Sequence, residues 1–128
     1  MRLLVDTHAF LWFLAGDSKL RASARRRLED DGNEKFLSIA SVWEMAIKLS
    51  LRKLRLEDPL EDVVTRGTLE SGIVLLDISK DHAIRTATLP WHHRDPFDRL
   101  MVAQALEDDL TVLGRDAHFD AYGVRRVW

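Results

Sequence analysis

At 128 residues, with 46% apolar and 31% charged side chains, the chain is long enough to bury a substantial core and too hydrophobic for a disordered segment. It has no cysteine, which excludes disulfides, a thiolate zinc site and a cysteine nucleophile, and fits a reducing cytoplasm. Lys and Arg number 19 against 21 Asp and Glu, and the net charge of −2 argues against a protein that coats nucleic acid by bulk charge.

Arg2 to Val5 has the pattern of a strand, and Asp6 to Leu14 continues as a helix closed by Gly16. One basic residue before this short apolar run does not make a signal peptide. The longest apolar stretch, Ala9 to Ala15, is far short of a membrane span, so no membrane role is expected. Ala22 to Asp30 is a charged, exposed helix stopped by Gly32, and its Arg25, Arg26 and Arg27 act as solubilising charges. Lys35 to Ser38 is a short strand. Ser41 to Leu51 is a helix with Val42, Met45, Ala46 and Leu49 at helical spacing. Pro59 to Glu70 is a further helix with Pro in its first turn, and Ile73 to Leu76 a buried strand. Ser79 to Thr88 is helical and ends before Pro90. Pro96 to Glu107 is helical, with Leu100, Ala103 and Leu106 inward. Leu110 to Leu113 is a strand, Ala117 to Ala121 a helical turn, and Val124 to Trp128 the last strand.

Short apolar strands alternating with helices predict an α/β fold with a mainly parallel sheet covered on both faces. In such sheets ligands bind beyond the carboxyl ends of the strands. Asp6 and Asp116 follow strands directly, and Glu44 and Asp98 lie in the first turns of helices entered near the same edge. Each acid also has a structural explanation. Asp6 and Asp116 can cap helical turns, Ser41-Val42-Trp43-Glu44 has the capping-box pattern, and Asp95-Pro96-Phe97-Asp98 has the order of cap, first-turn proline and dipole-favoured anion. Taken together, four carboxylates converging on one pocket would repel one another and need a cation. An oxygen-only ligand set suits Mg²⁺ or Mn²⁺. One or two such ions suit phosphodiester hydrolysis, because they lower the pKa of water and polarise the phosphoryl oxygen. The chain has no phosphate-binding glycine loop, dinucleotide fingerprint or nucleophile elbow to support another chemistry.

The stretches "LLVDTHAFLWFL", "SIASVWEMAIKLSLRKLRL" and "LPWHHRDPFDRLMVAQALEDDLTVLGRDAHFDAYGVRRVW", with their spacing, resemble the PIN-domain ribonucleases, in particular the VapC-like toxins of bacterial toxin–antitoxin pairs. The resemblance runs nearly end to end, over a single domain of residues 1–128, and "HHRDPFDRLMVAQA" is its most specific part. It implies a three-layer α/β/α sandwich with a five-stranded sheet and Mg²⁺- or Mn²⁺-dependent endoribonuclease activity in the cytoplasm. It also implies a homodimer, and a cognate antitoxin laid across a groove near the first helices. It places the catalytic, metal-holding acids on Asp6, Glu44, Asp98 and Asp116, and leaves Asp95 as either ligand or cap. One position departs from the pattern. The family usually has Ser or Thr two residues before the fourth acid, and here that residue is Gly114, which weakens Asp116 as a direct ligand.

Thr7 can serve the metal or substrate, or simply occupy a first helical turn. Lys48 can meet phosphate, or form an ordinary i,i+4 pair with Glu44. Arg99 and Arg115 flank two of the acids as candidate phosphate contacts. His8 is given no role. His92, His93 and Arg94 form a polar loop, either solvated or in contact with RNA, and Trp43 and Trp91 either pack or stack on splayed bases. The apolar face of Phe10, Trp12, Phe13 and Leu14 exceeds what one helix needs, and part of it is a candidate interface. Two other classes remain. A PIN nuclease that processes RNA or DNA without a toxin role would lack a small antitoxin-like reading frame directly upstream. A non-catalytic interaction module would use the acids as caps alone and show no thermal shift with Mg²⁺ or Mn²⁺.

Overall fold

The computed structural model describes all residues from Met1 to Trp128. Five strands, β1 (Arg2–Val5), β2 (Glu34–Ser38), β3 (Ile73–Leu76), β4 (Thr111–Leu113) and β5 (Arg126–Val127), form one sheet in the order β3-β2-β1-β4-β5. Every pairing is parallel, with Leu3 beside Lys35 and Thr111, and Val5 beside Leu113. The helices are α1 (Thr7–Ala15), α2 (Ala22–Glu29), α3 (Ile39–Ser50), α4 (Leu60–Ser71), α5 (Lys80–Arg85) and α6 (Pro96–Asp108). Short 3-10 turns follow α5 at Thr86–Thr88 and β4 at Ala117–Tyr122. No helix is long and apolar enough to cross a membrane.

Alternation along the central strand builds the three layers. Leu3 and Val5 point into a core shared with Phe10, Leu28, Met45 and Val64, while Leu4 points to the opposite face, against Met101, Val102, Ala105 and Phe119. Leu3, Leu4 and Val5 are fully buried, and each contributes roughly 1.5–3 kcal/mol of hydrophobic stabilisation. Lys35 is also buried, and its ammonium donates to the Leu28 carbonyl at 2.8 Å, at the C-terminal end of α2 where a cation is favoured. Helices α1 and α4 approach closely because residue 67 is glycine. A Cβ there would lie 2.6 Å from a Leu14 methyl and 3.0 Å from the Phe10 ring.

Several sequence expectations need correction. Ser38, not Ser41, caps α3, accepting from the Ala40 N–H at 3.0 Å, so Ser41 and Glu44 lie inside the helix and form no capping box. The capping box of the chain is at Ser79 and His82 instead. β3 is an edge strand, with Val74 and Leu75 exposed rather than buried, because nothing pairs beyond it. On α6, Ala103 is buried as expected, but Leu100 and Leu106 are only half-buried. Met101, Val102 and Ala105 face the sheet in their place.

Candidate functional site

β1 delivers Asp6 to the carboxyl edge of the sheet, where its N–H donates to the Leu113 carbonyl at 2.9 Å and continues the ladder. Asp6 stands at the N-cap position of α1, yet its carboxylate makes no capping hydrogen bond. The Thr7 and His8 N–H groups favour its charge, but burial and then the Glu44 carboxylate push its carboxyl from 3.8 up to about 6. Asp98 stands in the first turn of α6, next to the Asp95 cap. Burial and then the Asp95, Asp6 and Glu44 charges push its carboxyl up to about 7. Glu44 reaches the same pocket from α3 and is 5% exposed. Its Oε1 accepts from the Thr7 hydroxyl at 2.8 Å, and its Oε2 from the Lys48 ammonium at 2.8 Å. Thr7 shares a further 2.8 Å hydrogen bond with the Ser41 hydroxyl, which ties α1 to α3. Three of the four predicted acids therefore meet as buried or half-buried like charges; Glu44 pairs with the Lys48 ammonium, and Asp98 has two histidine rings beside it.

The fourth acid differs. The Asp116 side chain is 65% exposed, accepts from the His118 N–H at 3.1 Å, and lies 2.7 Å from His118 Nδ1. Its slight burial works against ionisation but is outweighed by the His118 backbone and ring contacts, which hold its carboxyl below the ordinary value. Gly114 explains why the approach is so close. A Cβ at that position would lie 3.1 Å from the Asp6 Cβ, tight enough to press on the central acid. Asp95 is a cap, since its Oδ1 accepts from the Phe97 and Asp98 N–H groups at 2.8 and 3.1 Å.

Of the predicted supporting residues, Arg115 lines a cavity of about 350 Å³ with Asp6, His8, Trp12 and Asp116, and its guanidinium lies 4.7 Å from the Trp12 ring centre. His8 stacks on the same tryptophan at 5.6 Å. Burial, followed by the Lys48 charge, lowers its pKa and so favours the neutral imidazole. Arg99 is not a phosphate contact. It is 5% exposed and donates to the carbonyls of Thr86, Leu89 and Pro90, clamping the loop before α6, with Trp91 stacked on it at 3.7 Å. Helical phase accounts for this, because the residue after Asp98 points about 100° away from it. Trp43 and Trp91 are 58% and 75% exposed rather than packed in the core.

Two residues with no individual role in the sequence reading enter the site. His93 Nε2 lies 3.2 Å and His118 Nε2 3.1 Å from the same Asp98 Oδ2, with the two rings stacked at 4.0 Å. His93 lies in the stretch "HHRDPFDRLMVAQA", five residues before Asp98, while the only sequence signal for His118 is its place two residues after Asp116.

A family model described as PIN domain matches residues 3–124. No curated protein sequence gives a significant match. Among solved structures, the chain is similar to VapBC2 from Rickettsia felis bound to a DNA fragment from their promoter, at 11% identity and a TM-score of 0.71, over 99% of this chain and 98% of that one. It is similar to DNA-bound VapBC from Salmonella typhimurium at 15% identity and a TM-score of 0.68, over 99% and 97%. A toxin–antitoxin complex from Klebsiella pneumoniae matches at 22% identity and a TM-score of 0.64, over 98% and 96%.

Proposed function

Because the chain belongs to the PIN-domain family, a family of nucleases, we propose that it is a metal-dependent endoribonuclease and the toxin of a toxin–antitoxin pair. The observation that carries this reading is the Asp6 carboxylate, which is buried, free of capping bonds, and set against Glu44 and Asp98. A pure capping role would engage its oxygens and would not crowd three acids together. Asp6, Glu44 and Asp98 fit Mg²⁺ or Mn²⁺ by donor chemistry, since all three offer carboxylate oxygens and their mutual repulsion calls for a cation. When bound, the cation supplies positive charge that lowers the pKa of water and polarises a phosphoryl oxygen.

The remaining residues orient and admit the substrate. Thr7 holds Glu44 Oε1 in place, and Lys48, 35% exposed, keeps donors available for a phosphate after pairing with Glu44. Arg115 offers a guanidinium at the mouth of the cavity, suited to bidentate phosphate contact. The proposed reaction is in-line attack of water on phosphorus, leaving a 5′-phosphate and a 3′-hydroxyl, as the resemblance to the PIN-domain ribonucleases implies. A groove of about 650 Å³ between α1 and α4, with apolar Leu11, Leu14, Leu56 and Val63 beside Arg55, Arg66 and Glu70, suits an amphipathic antitoxin segment. The similarity to toxin–antitoxin complexes supports that partner. The exposed apolar surface at Trp43, Trp91 and Ile84 supports a homodimer.

The test is cleavage of total RNA by the purified protein, with mapping of the new ends. The expected result is Mg²⁺- or Mn²⁺-dependent cutting with 5′-phosphate ends, abolished by EDTA. Cutting that survives EDTA, or no cutting with either ion, contradicts the proposal.

A further inference from the structure

His93, His118 and Asp98 bring two imidazole nitrogens and one carboxylate oxygen within 4.8 Å of one another. The state of the His118 ring follows from its partners. A carboxylate only accepts, so Asp116, 2.7 Å from Nδ1, calls for the proton on that nitrogen. In the neutral ring, Nε2 is then a bare lone pair. That atom is buried, makes no hydrogen bond, and faces Asp98 Oδ2 at 3.1 Å, a second acceptor. With His93 Nε2 3.2 Å from the same carboxylate oxygen, these atoms form a donor set that a cation can bridge. A carboxylate that fixes the far nitrogen of a histidine is also the arrangement in which metal-binding imidazoles are oriented.

The second histidine is held as firmly. The His93 N–H donates to the Tyr122 hydroxyl at 2.9 Å, His92 packs edge-on against the same ring, and Arg99 clamps the backbone at Leu89 and Pro90. The loop before α6 therefore presents His93 Nε2 at a fixed position, and its one-third exposure leaves one side of the group open.

We propose that His93, His118 and Asp98 form a nitrogen-bearing position for a divalent transition-metal ion of the Co²⁺ or Zn²⁺ class, distinct in donor set from the oxygen-only position of Asp6 and Glu44. Imidazole nitrogen favours such ions over Mg²⁺, whereas carboxylates alone do not. The two positions share Asp98, and the inference rests on the metal reading of the acidic pocket through that residue alone. It gives Asp116 a positioning role, acting on the ion through His118.

The experiment is titration of the full-length protein with Zn²⁺ and, separately, Mg²⁺ by calorimetry, alongside pulsed electron paramagnetic resonance of the Co²⁺-loaded protein. Nitrogen couplings from directly bound imidazole are expected in the wild-type spectrum. The His93→Gln/His118→Gln variant is expected to lose these couplings and to bind Zn²⁺ at least 10-fold more weakly, with Mg²⁺ affinity changed less than threefold. Asp116→Asn, which spares all three proposed ligands, is expected to weaken Zn²⁺ roughly 10-fold or more, the range seen when such orienting carboxylates are changed. Asp6→Asn is expected to lose Mg²⁺ while retaining Zn²⁺. Absence of nitrogen coupling in the wild type, or unchanged Zn²⁺ affinity in the double-histidine variant, overturns the inference; in that case the imidazoles serve only as charge partners of Asp98. If Mg²⁺ still binds, the acidic-pocket reading survives that failure. If no divalent ion binds the wild type, both fall. Because the resonance measurement uses wild-type protein, a misfolded variant does not decide the result.

Discussion

In the metal-free protein, Asp98 should behave as a destabilising residue at neutral pH. Its carboxyl rises from 3.8 to about 7, chiefly through burial and then through the neighbouring acids. A folded-state value above the unfolded one means that the folded form holds its proton longer. Its stability contribution is complete below pH 4 and is lost as pH climbs towards 7. Three units at about 1.4 kcal/mol each give an upper bound of about 4 kcal/mol. Asn keeps the shape and removes the charge. If half of that bound is recovered, Asp98→Asn raises the melting temperature at pH 8 by roughly 6–10 °C, given about 3–5 °C per kcal/mol for a domain of this size. At pH 4 the two proteins should melt within about 2 °C of each other. Mn²⁺ should reverse the order at pH 8 by stabilising the wild type and not the variant. Scanning calorimetry in EDTA across pH 4–8, repeated with Mn²⁺, reads all of this. A wild type more stable than Asp98→Asn in EDTA at pH 8 refutes the picture of a carboxylate penalised by burial and neighbouring acids.

Other outcomes follow from the same contacts. Arg99→Ala should lower stability by about 3 kcal/mol or more in urea unfolding, because three carbonyls lose a buried charged donor, and should shift the Trp91 environment seen by fluorescence. Gly114→Ser should cost about 1–2 kcal/mol and weaken Mn²⁺ binding, since the added Cβ meets Asp6 at 3.1 Å; an unchanged Mn²⁺ titration would show that the pocket yields easily. Lys48→Ala should lower both RNA affinity and stability, because Glu44 keeps a buried oxygen without its ammonium partner; a gel-shift assay and a melting curve check the two effects.

The sheet and the acidic pocket were legible from sequence for a simple reason. Short apolar runs such as Leu3-Leu4-Val5, alternating with helical segments, point to strands of a parallel sheet, and the residue that ends each run then emerges at one edge of it. That sets Asp6 and Asp116 at one edge and the start of α6 adds Asp98, whereas Glu44, expected in a first turn, reaches the pocket from inside α3. Choices decided by contacts distant in sequence were not legible. Ser38 and Ser41 are both good caps, and the pairing of Ser38 with Leu76, together with the Thr7–Ser41 hydrogen bond, sets which one ends the strand and which one enters the helix. Arg99 lies beside an acid in sequence but points elsewhere in space. The run Ile73 to Leu76 is apolar enough for a central strand, and only the strand order makes it an edge. The pairing of His93 with His118 depends on two loops meeting over Asp98, which no local pattern encodes.

The central claim is that Asp6, Glu44 and Asp98 work as a metal-holding nuclease site rather than as helix caps. The most direct measurement is the rate at which wild-type and Asp6→Asn protein cut an end-labelled single-stranded RNA in Mn²⁺. Asn preserves shape at a position that makes no capping bond, so the fold should persist by circular dichroism. The expected result is a rate at least 100-fold below wild type with an unchanged spectrum. A folded Asp6→Asn protein that cuts at the wild-type rate would contradict the account.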